Sequence, residues 1–194
     1  MDNLTVCVYC ASSKKCDAVY LEAAERLGRH LASHGATLVY GGGGGGAMAR
    51  LAEGVLGAGG KAIGVIPNFM VELEWGHKQL TELRVVENMR ERKHQMLAEA
   101  DAVVALPGGC GTLEELFETI TLKRLGLYLG PIILVNTRGF YDRVVASLDH
   151  CIEERFMDRR HREMWTVVND PEEVIEAIEA APRWSVDNRN FAVQ

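Results

Sequence analysis

The sequence predicts one α/β domain built on a mostly parallel β-sheet with helices on both faces. Short runs rich in apolar and β-branched residues alternate with longer segments whose apolar residues recur at helical spacing. No linker, repeat or low-complexity block interrupts this alternation along the 194 residues. Because parallel strands must be joined by crossover segments, usually helices, the alternation indicates a doubly wound, Rossmann-like fold in a single domain.

The predicted elements follow one another in order. Helix 17–34 has Ala24, Leu27 and Leu31 near helical spacing, the strand at 36–40 ends in six glycines, and Pro67 closes the third strand. We expect residues 1–181 to form the domain and the polar segment 182–194 to be a loosely attached tail. Strands are predicted at 4–9, 36–40, 61–66, 83–86, 102–106, 132–135 and 165–168, and helices at 17–34, 47–56, 88–99, 112–125, 140–155 and 171–180.

Composition excludes several classes of protein. Hydrophobic residues make up 47% of the chain and charged residues 25%, which is typical of soluble globular proteins. The net charge of -6 argues against a surface that wraps nucleic acid, since such surfaces are usually basic. No apolar run is long enough to span a bilayer, and the N-terminus resembles a strand rather than a signal peptide. We therefore expect a cytoplasmic protein that binds neither nucleic acid nor membranes.

The cysteines indicate a reducing compartment and no metal site. Their number is odd, five, which favours free thiols over a disulfide framework. Cys7 and Cys10 are three residues apart on a predicted strand, so their side chains point to opposite faces of the sheet. We expect no bound metal.

The first glycine-rich segment, residues 41–46, follows the second predicted strand and opens a helix. Glycines let backbone amides approach a phosphate, and the start of a helix adds partial positive charge. A flexible turn is the alternative, but six consecutive glycines favour an anion site. The segment lacks the Lys-Ser/Thr end of a P-loop. The next strand ends Gly-Val-Ile-Pro without an acidic residue, so NAD is not expected.

The second glycine-rich segment, residues 107–112, follows the buried strand at 102–106. Here Thr112 is predicted to cap a helix, with Glu115 as the partner that completes a capping box. The alternative is that the Glu115 carboxylate faces a bound ligand, where it would stabilise a cationic sugar transition state or position a water.

A third cluster, residues 89–94, carries a run of charges at the start of the helix before that strand. A solvated helix face is the common reason for such a run. The alternative is that an arginine at the ligand end of the sheet binds phosphate bidentately or holds a catalytic glutamate.

Together these segments resemble the "Lonely guy" family of cytokinin riboside 5'-monophosphate phosphoribohydrolases, once labelled lysine decarboxylases. The family motif P-G-G-x-G-T-x-x-E is matched in full by residues 107–115, and G-G-G-x-x-G-x-M-G by residues 41–49 with Ala49 replacing the last glycine. Residues 7–13 resemble its first strand and Ser-Ser turn, with Ala11 where glycine is usual. The M-x-x-R-K element appears as Met89, Arg92 and Lys93. The resemblance covers about residues 4–180.

The resemblance implies hydrolysis of the N-glycosidic bond of adenosine 5'-monophosphate or an N6-substituted derivative, giving an adenine-type base (a cytokinin) and ribose 5-phosphate. It implies a homodimer that needs no cofactor, with Arg92 and Glu115 as the catalytic pair and Arg92 holding the carboxylate ionised. By the same resemblance, the substrate-binding positions are Glu74, Arg92, Lys93, Gly109, Cys110, Gly111, Thr112, Leu113, Glu114, Glu115 and Thr121. We expect the phosphate to be bound at Ser13, Gly42, Gly43, Gly46, Gly111 and Thr112.

One departure from the family leaves the substrate open. After Thr121 the family often continues Trp-Ala-Gln-Leu-Gly, whereas residues 122–126 read Leu-Lys-Arg-Leu-Gly. If this region lines the base pocket or a subunit contact, plain AMP is an alternative to an isoprenoid-substituted AMP.

Two other functions remain as alternatives. A non-catalytic carrier of nucleotides or molybdenum cofactor would need neither Arg92 nor Glu115. A lysine decarboxylase would normally need a Schiff-base lysine, and Lys93 is the only lysine within a motif.

Overall fold

The fold is seen in a computed structural model that describes residues 4–73 and 75–191. Its strands are β1 (Thr5–Tyr9), β2 (Thr37–Tyr40), β3 (Lys61–Pro67), β4 (Glu82–Val86), β5 (Ala102–Ala105), β6 (Ile132–Val135) and β7 (Thr166–Val168). Its α-helices are α1 (Ala18–Ser33), α2 (Gly46–Gly57), α3 (Asn68–Glu72), α4 (Met89–Ala98), α5 (Cys110–Arg124), α6 (Asp142–Glu153) and α7 (Val174–Ala180).

The strands form one parallel sheet in the order β4-β3-β2-β1-β5-β6-β7. The predicted doubly wound, Rossmann-like fold is confirmed. The chain runs outward from β1 to β4 on one side and from β5 to β7 on the other, so the direction of winding reverses between β1 and β5. In open parallel sheets, ligands bind beyond the carboxyl ends of the strands at such a reversal.

Both faces of the sheet are covered by apolar clusters. Cys10 belongs to the cluster under α1 and α2, and Cys7 to the cluster on the other face, as their spacing predicted. All four residues of β5 are buried. A central parallel strand is covered on both sides, which is why its sequence is apolar without alternation.

Helices α1 and α2 pack so closely that each needs a glycine at the contact. A Cβ on Gly28 would lie 2.2 Å from the Leu51 carbonyl oxygen, and one on Gly54 would lie 2.3 Å from the Glu25 carbonyl oxygen. Both distances are well below van der Waals contact, so the two helices approach backbone to backbone at these glycines.

Helix α5 begins earlier than predicted, at Cys110, with Gly109 as its extended N-cap residue. Thr112 therefore lies inside the first turn, and the predicted capping box with Glu115 is wrong. The reason is local, because the chain turns into the helix directly after Gly109. Glu115 is left in the second turn, facing the interior, with 7% of its surface exposed.

The C-terminal segment is also attached more firmly than predicted. Trp184 and Phe191 are buried in the cluster beside α5, and the Trp184 Nε1–H donates to the Lys123 carbonyl oxygen at 2.9 Å. The prediction of a loose tail is therefore wrong for residues 184–191, because burial of two aromatic rings outweighs the polar composition. The domain boundary at residue 181 stays a prediction.

Two further elements begin differently from the prediction. A 3₁₀ turn at Thr137–Gly139 precedes α6, so that helix begins at Asp142, and a 3₁₀ turn at Pro171–Glu173 precedes α7. Within the described ranges, no helix is both long and apolar enough to cross a membrane.

Candidate active site

A cavity of about 1030 Å³ lies at the carboxyl ends of β1, β2, β3 and β5. Most of its walls come from the segments that follow these strands, at residues 10–14, 41–48, 66–70, 75–79 and 109–115, and Glu53, Met89 and Arg92 also line it. A smaller cavity of about 210 Å³ adjoins it and shares Ala11, Ser13 and Gly109 with it. Both cavities therefore occupy the place where the winding of the sheet reverses, as the fold predicts.

The glycine-rich segment after β2 is held in place on both sides. The Gly44 amide donates to the Trp75 carbonyl oxygen at 2.8 Å, and the His77 amide donates to the Gly42 carbonyl oxygen at 2.9 Å. Gly46 has a φ of +57°, and a Cβ there would lie 2.4 Å from the Ser13 carbonyl oxygen. The segment is therefore a fixed wall of the cavity, which does not support the alternative of a flexible turn.

The first turn of α5 presents backbone amides at the cavity. The Leu113 amide donates to the Gly109 carbonyl oxygen at 3.0 Å and closes the turn. The amides of Cys110, Gly111 and Thr112 have no protein acceptor in the part of the chain that the structure describes. Unpaired amides and the positive end of the helix dipole are the features with which helix N-termini bind anions, so the predicted phosphate contact here stays a prediction.

Arg92 is buried between the glycine-rich segment and α5, with 5% of its surface exposed. Its Nε donates to the Val65 carbonyl oxygen at 3.0 Å, and its Nη2 donates to the Gly41 carbonyl oxygen at 2.6 Å. Nη1 lies 4.0 Å from Glu115 Oε1. With two of its nitrogens bound to the backbone, Arg92 is not free to grip a phosphate bidentately, so the remaining interpretation is that it faces Glu115.

The Glu115 carboxyl group has an unusual pKa. Burial raises this pKa from 4.5 to about 7; the nearby Arg92 charge lowers it, and Glu114 raises it. The Arg92 charge therefore favours the ionised carboxylate, as expected, but burial has the larger effect on the pKa. Desolvation outweighs the attraction because the two groups approach only to 4.0 Å, beyond hydrogen-bonding distance. A carboxyl group with this pKa exchanges protons near neutral pH.

Lys93 lies beside this pair but turns away from the cavity. Its Nζ donates to Glu114 Oε1 at 2.5 Å and contacts Glu118 Oε2 at 2.8 Å, and these partners raise its pKa. It does not line the cavity. The side chain links α4 to α5 through these ion pairs. Its position therefore does not support the predicted contact with substrate.

The other predicted residues divide into those that line the cavity and those that do not. Leu113 packs against the apolar cluster beside the sheet, and the Thr121 hydroxyl donates to its own helix at the Phe117 carbonyl oxygen. Glu74 lies outside the described residues. The predicted positions that line the cavity are Ser13, Gly43, Arg92, Gly109, Cys110, Gly111, Thr112, Glu114 and Glu115, whereas Gly42, Gly46, Lys93, Leu113 and Thr121 do not.

The segment at 122–126 does not line the cavity either. Lys123 within it is 1% exposed and donates from Nζ to the Gly130 carbonyl oxygen at 2.7 Å, and burial lowers its pKa to about 8. Within one chain, this segment is therefore not part of the cavity wall. The expectation that its departure from the family pattern reshapes a base pocket is not supported.

Sequence reasoning missed several side chains that line the cavity. Lys14, Met48, Trp75 and Lys78 all do so. The rule that ligands bind at the carboxyl ends of strands indicated their loops. No spacing signal showed which of these side chains turn inward, because that depends on the bonds between loops. Within residues 4–73 and 75–191, no three His, Cys, Asp or Glu side chains are grouped to hold a metal ion.

Fold and site thus define a doubly wound α/β protein with a crevice between two glycine-rich walls and a buried arginine–glutamate pair. Residues 48–178 match the model of a protein family described as "Possible lysine decarboxylase". A cytokinin riboside 5'-monophosphate phosphoribohydrolase of Oryza sativa subsp. japonica is 40% identical over 184 residues, which are 93% of this chain and 75% of that protein. One of Arabidopsis thaliana is 37% identical over 174 residues, 90% of this chain and 81% of that protein. The chain therefore belongs to the same family as these two phosphoribohydrolases.

Among solved structures, the molybdenum cofactor carrier protein of Chlamydomonas reinhardtii superposes with a TM-score of 0.70. The match covers 91% of this chain and 96% of that one, with 22% sequence identity. At this identity the likeness shows the shared fold and nothing about the ligand.

Proposed function

We propose that the protein hydrolyses the N-glycosidic bond of adenosine 5'-monophosphate or its N6-substituted derivatives, releasing an adenine-type base and ribose 5-phosphate. The observation that carries the proposal is the buried Glu115 carboxyl group, with a pKa near 7, beside Arg92 in a crevice with free backbone amides. Membership in a family whose relatives are named for this reaction supports it.

The cavity walls suggest how the nucleotide lies. The phosphate binds at the amides of Cys110, Gly111 and Thr112, on the same side as Ser13. Apolar side chains for the base lie on the other walls: Met48, Ile66, Met70, Trp75 and Met89. The volume of about 1030 Å³ is large enough for a nucleotide carrying an N6 substituent.

Glu115 acts in its ionised form. When the bond between ribose C1' and adenine N9 breaks, its electron pair leaves with the base, and positive charge develops on the sugar. The carboxylate stabilises that charge and accepts a proton from the water that attacks C1', while the departing base takes up a proton from solvent. Activity should therefore rise with pH through an apparent pKa of about 7.

Arg92 has a supporting role in this scheme. Its bonds to the carbonyl oxygens of Val65 and Gly41 fix the guanidinium against the wall of the cavity. From there its charge limits the rise in the pKa of Glu115, so that an ionised fraction remains near neutral pH.

The two alternative functions are less supported. A Schiff-base lysine must lose its proton, whereas Lys93 is ion-paired to two carboxylates that raise its pKa. A carrier would gain nothing from a buried carboxyl group with a pKa of about 7 next to the anion site.

We also propose that the protein acts in the cytoplasm as a homodimer. All five cysteines are free thiols, which suits a reducing compartment. Large apolar side chains are exposed on and after α5, with Phe117 at 41% and Leu127 at 72% exposure, and such surfaces often mark subunit contacts. Light scattering on the purified chain would test the oligomeric state.

The reaction is tested by incubating the protein with AMP and with isopentenyladenosine monophosphate, followed by chromatography for the free base. We expect release of base from at least one of them and loss of that release in Glu115→Gln. Glu118→Gln is a matched control on the same helix, because Glu118 does not line the cavity. Absence of base from every nucleoside monophosphate would disprove the reaction, and full activity of Glu115→Gln would disprove the role of that residue.

A further inference from the structure

The cations of the sequence motifs are already occupied by protein groups. Arg92 is bound to two carbonyl oxygens and faces Glu115, and Lys93 is bound to Glu114 and Glu118. Three carboxylates, Glu53, Glu114 and Glu115, line the same cavity. Each of the three already has a cation beside it, since Glu53 is ion-paired with Arg50, Glu114 with Lys93, and Glu115 faces Arg92. A phosphate dianion entering the cavity therefore needs positive charge that these paired cations are not free to supply.

Lys14 is placed to supply that charge. It lines the cavity directly after Ser12 and Ser13, and its Cε lies 3.4 Å from the position that a Cβ on Gly45 would take. The side chain thus lies against the glycine-rich wall at the start of α2. Among the described residues it has no ion-pair partner, so its ammonium group is available to a ligand.

The backbone under Lys14 is fixed. The Lys15 amide donates to Ser13 Oγ at 3.2 Å, the Cys16 thiol donates to the Ser13 carbonyl oxygen at 3.6 Å, and the Met48 amide donates to the Ala11 carbonyl oxygen at 3.1 Å. The turn therefore presents Lys14 from a defined position beside Ser13, which borders both cavities.

We propose that Lys14 is the phosphate-binding cation of the cavity and that it makes the site selective for nucleoside monophosphates over nucleosides. This rests on the proposed function in taking a phosphorylated riboside as the ligand. The amides at the start of α5 orient the phosphate oxygens, and the Lys14 ammonium group neutralises their charge.

Lys78 is the other lysine that lines the cavity. It belongs to the loop with Trp75 and His77, on the wall that carries apolar side chains, rather than to the turn that borders the smaller cavity. The geometry therefore favours Lys14 over Lys78 as the contact for the phosphate.

The test is calorimetric titration with ribose 5-phosphate. This ligand carries the phosphate but no base, so it has no N-glycosidic bond that the protein could hydrolyse. Lys14→Met should weaken binding about tenfold at low salt, as expected for loss of a charged hydrogen bond. Lys15→Met is the matched control, since Lys15 is also exposed but does not line the cavity, and it should bind like the wild type. The difference between Lys14→Met and the wild type should shrink at high salt.

Three outcomes would overturn the proposal: unchanged binding by Lys14→Met, an equal loss in Lys15→Met, or a loss found in Lys78→Met instead. The kinetic counterpart is a lower ratio of kcat/KM for AMP to that for adenosine in Lys14→Met. A further outcome is that AMP is not hydrolysed at all while Lys14→Met still binds ribose 5-phosphate more weakly than the wild type. In that case the proposed reaction is wrong and the proposed phosphate contact is supported.

Discussion

Replacement of Glu115 by glutamine should stabilise the fold while it abolishes the proposed activity. The carboxyl group is 7% exposed, no hydrogen bond satisfies it among the described residues, and Arg92 lies 4.0 Å away. Ionising such a group costs free energy, which appears as the rise of its pKa from 4.5 to about 7. Glutamine has nearly the same shape and carries no charge at any pH.

The expected gain follows from the pKa. One pKa unit corresponds to about 1.4 kcal/mol, so the difference between 4.5 and about 7 amounts to about 3 kcal/mol. Because the folded state holds the proton more tightly than the unfolded state, this contribution to stability is fully present below about pH 4.5. It is lost progressively as the pH rises through about 7.

The assay is urea denaturation of the wild type and Glu115→Gln at about pH 5 and about pH 8. Near pH 5 the wild-type side chain is protonated, and the two proteins should differ by less than about 1 kcal/mol. Near pH 8 the variant should be more stable by up to about 3 kcal/mol. Other titrating groups affect both proteins alike and cancel in the difference.

Glu118→Gln is the control for this measurement. Glu118 lies on the same helix, but its side chain is 43% exposed, so its replacement should give no comparable gain at the higher pH. If the stability difference between the wild type and Glu115→Gln does not grow between the two pH values, the argument from burial is refuted.

Three further predictions concern packing and access. Gly54→Ala should lower the free energy of unfolding by roughly 1–3 kcal/mol in urea denaturation, because a Cβ there meets the facing helix. Gly57→Ala is the control and should leave this free energy nearly unchanged, because a Cβ there meets nothing within 4 Å. Alkylation of Cys110, exposed within the cavity, should block base release, and AMP should protect the thiol in a mass-spectrometric labelling assay. Trp184→Ala should lower the free energy of unfolding by about 3 kcal/mol, whereas Val186→Ala, at an exposed position, should change it little in the same assay.

The fold was predictable from the sequence because it depends on features that repeat along the chain. Apolar runs such as Ile132–Val135 gave strand positions, and the strand at 36–40 was predicted within one residue of β2. Parallel strands bring their carboxyl ends to one edge of the sheet, so the glycine-rich segments were expected to meet there. The first turns were less predictable, since Thr112 resembled an N-cap residue and Gly109 took that place.

The site was predictable only in part, because charge pairing depends on neighbours distant in sequence. The motif placed Arg92 and Glu115 at the same edge of the sheet, but it did not show that Val65 and Gly41 would bind the guanidinium. It also gave no sign that Lys93 would be held by carboxylates on α5.

The sequence by itself determined most of the strands and helices and the glycine-rich walls of the crevice, since these follow from periodicity and motif spacing. The order of the strands, and with it the place where the winding reverses, came from the tertiary structure. Tertiary structure alone decided the protonation of Glu115, because a pKa depends on burial and on charges from several elements at once. It also decided which lysine is available to a ligand: Lys93 is ion-paired between two helices, and Lys14 lies unpaired, among the described residues, against the glycine-rich wall.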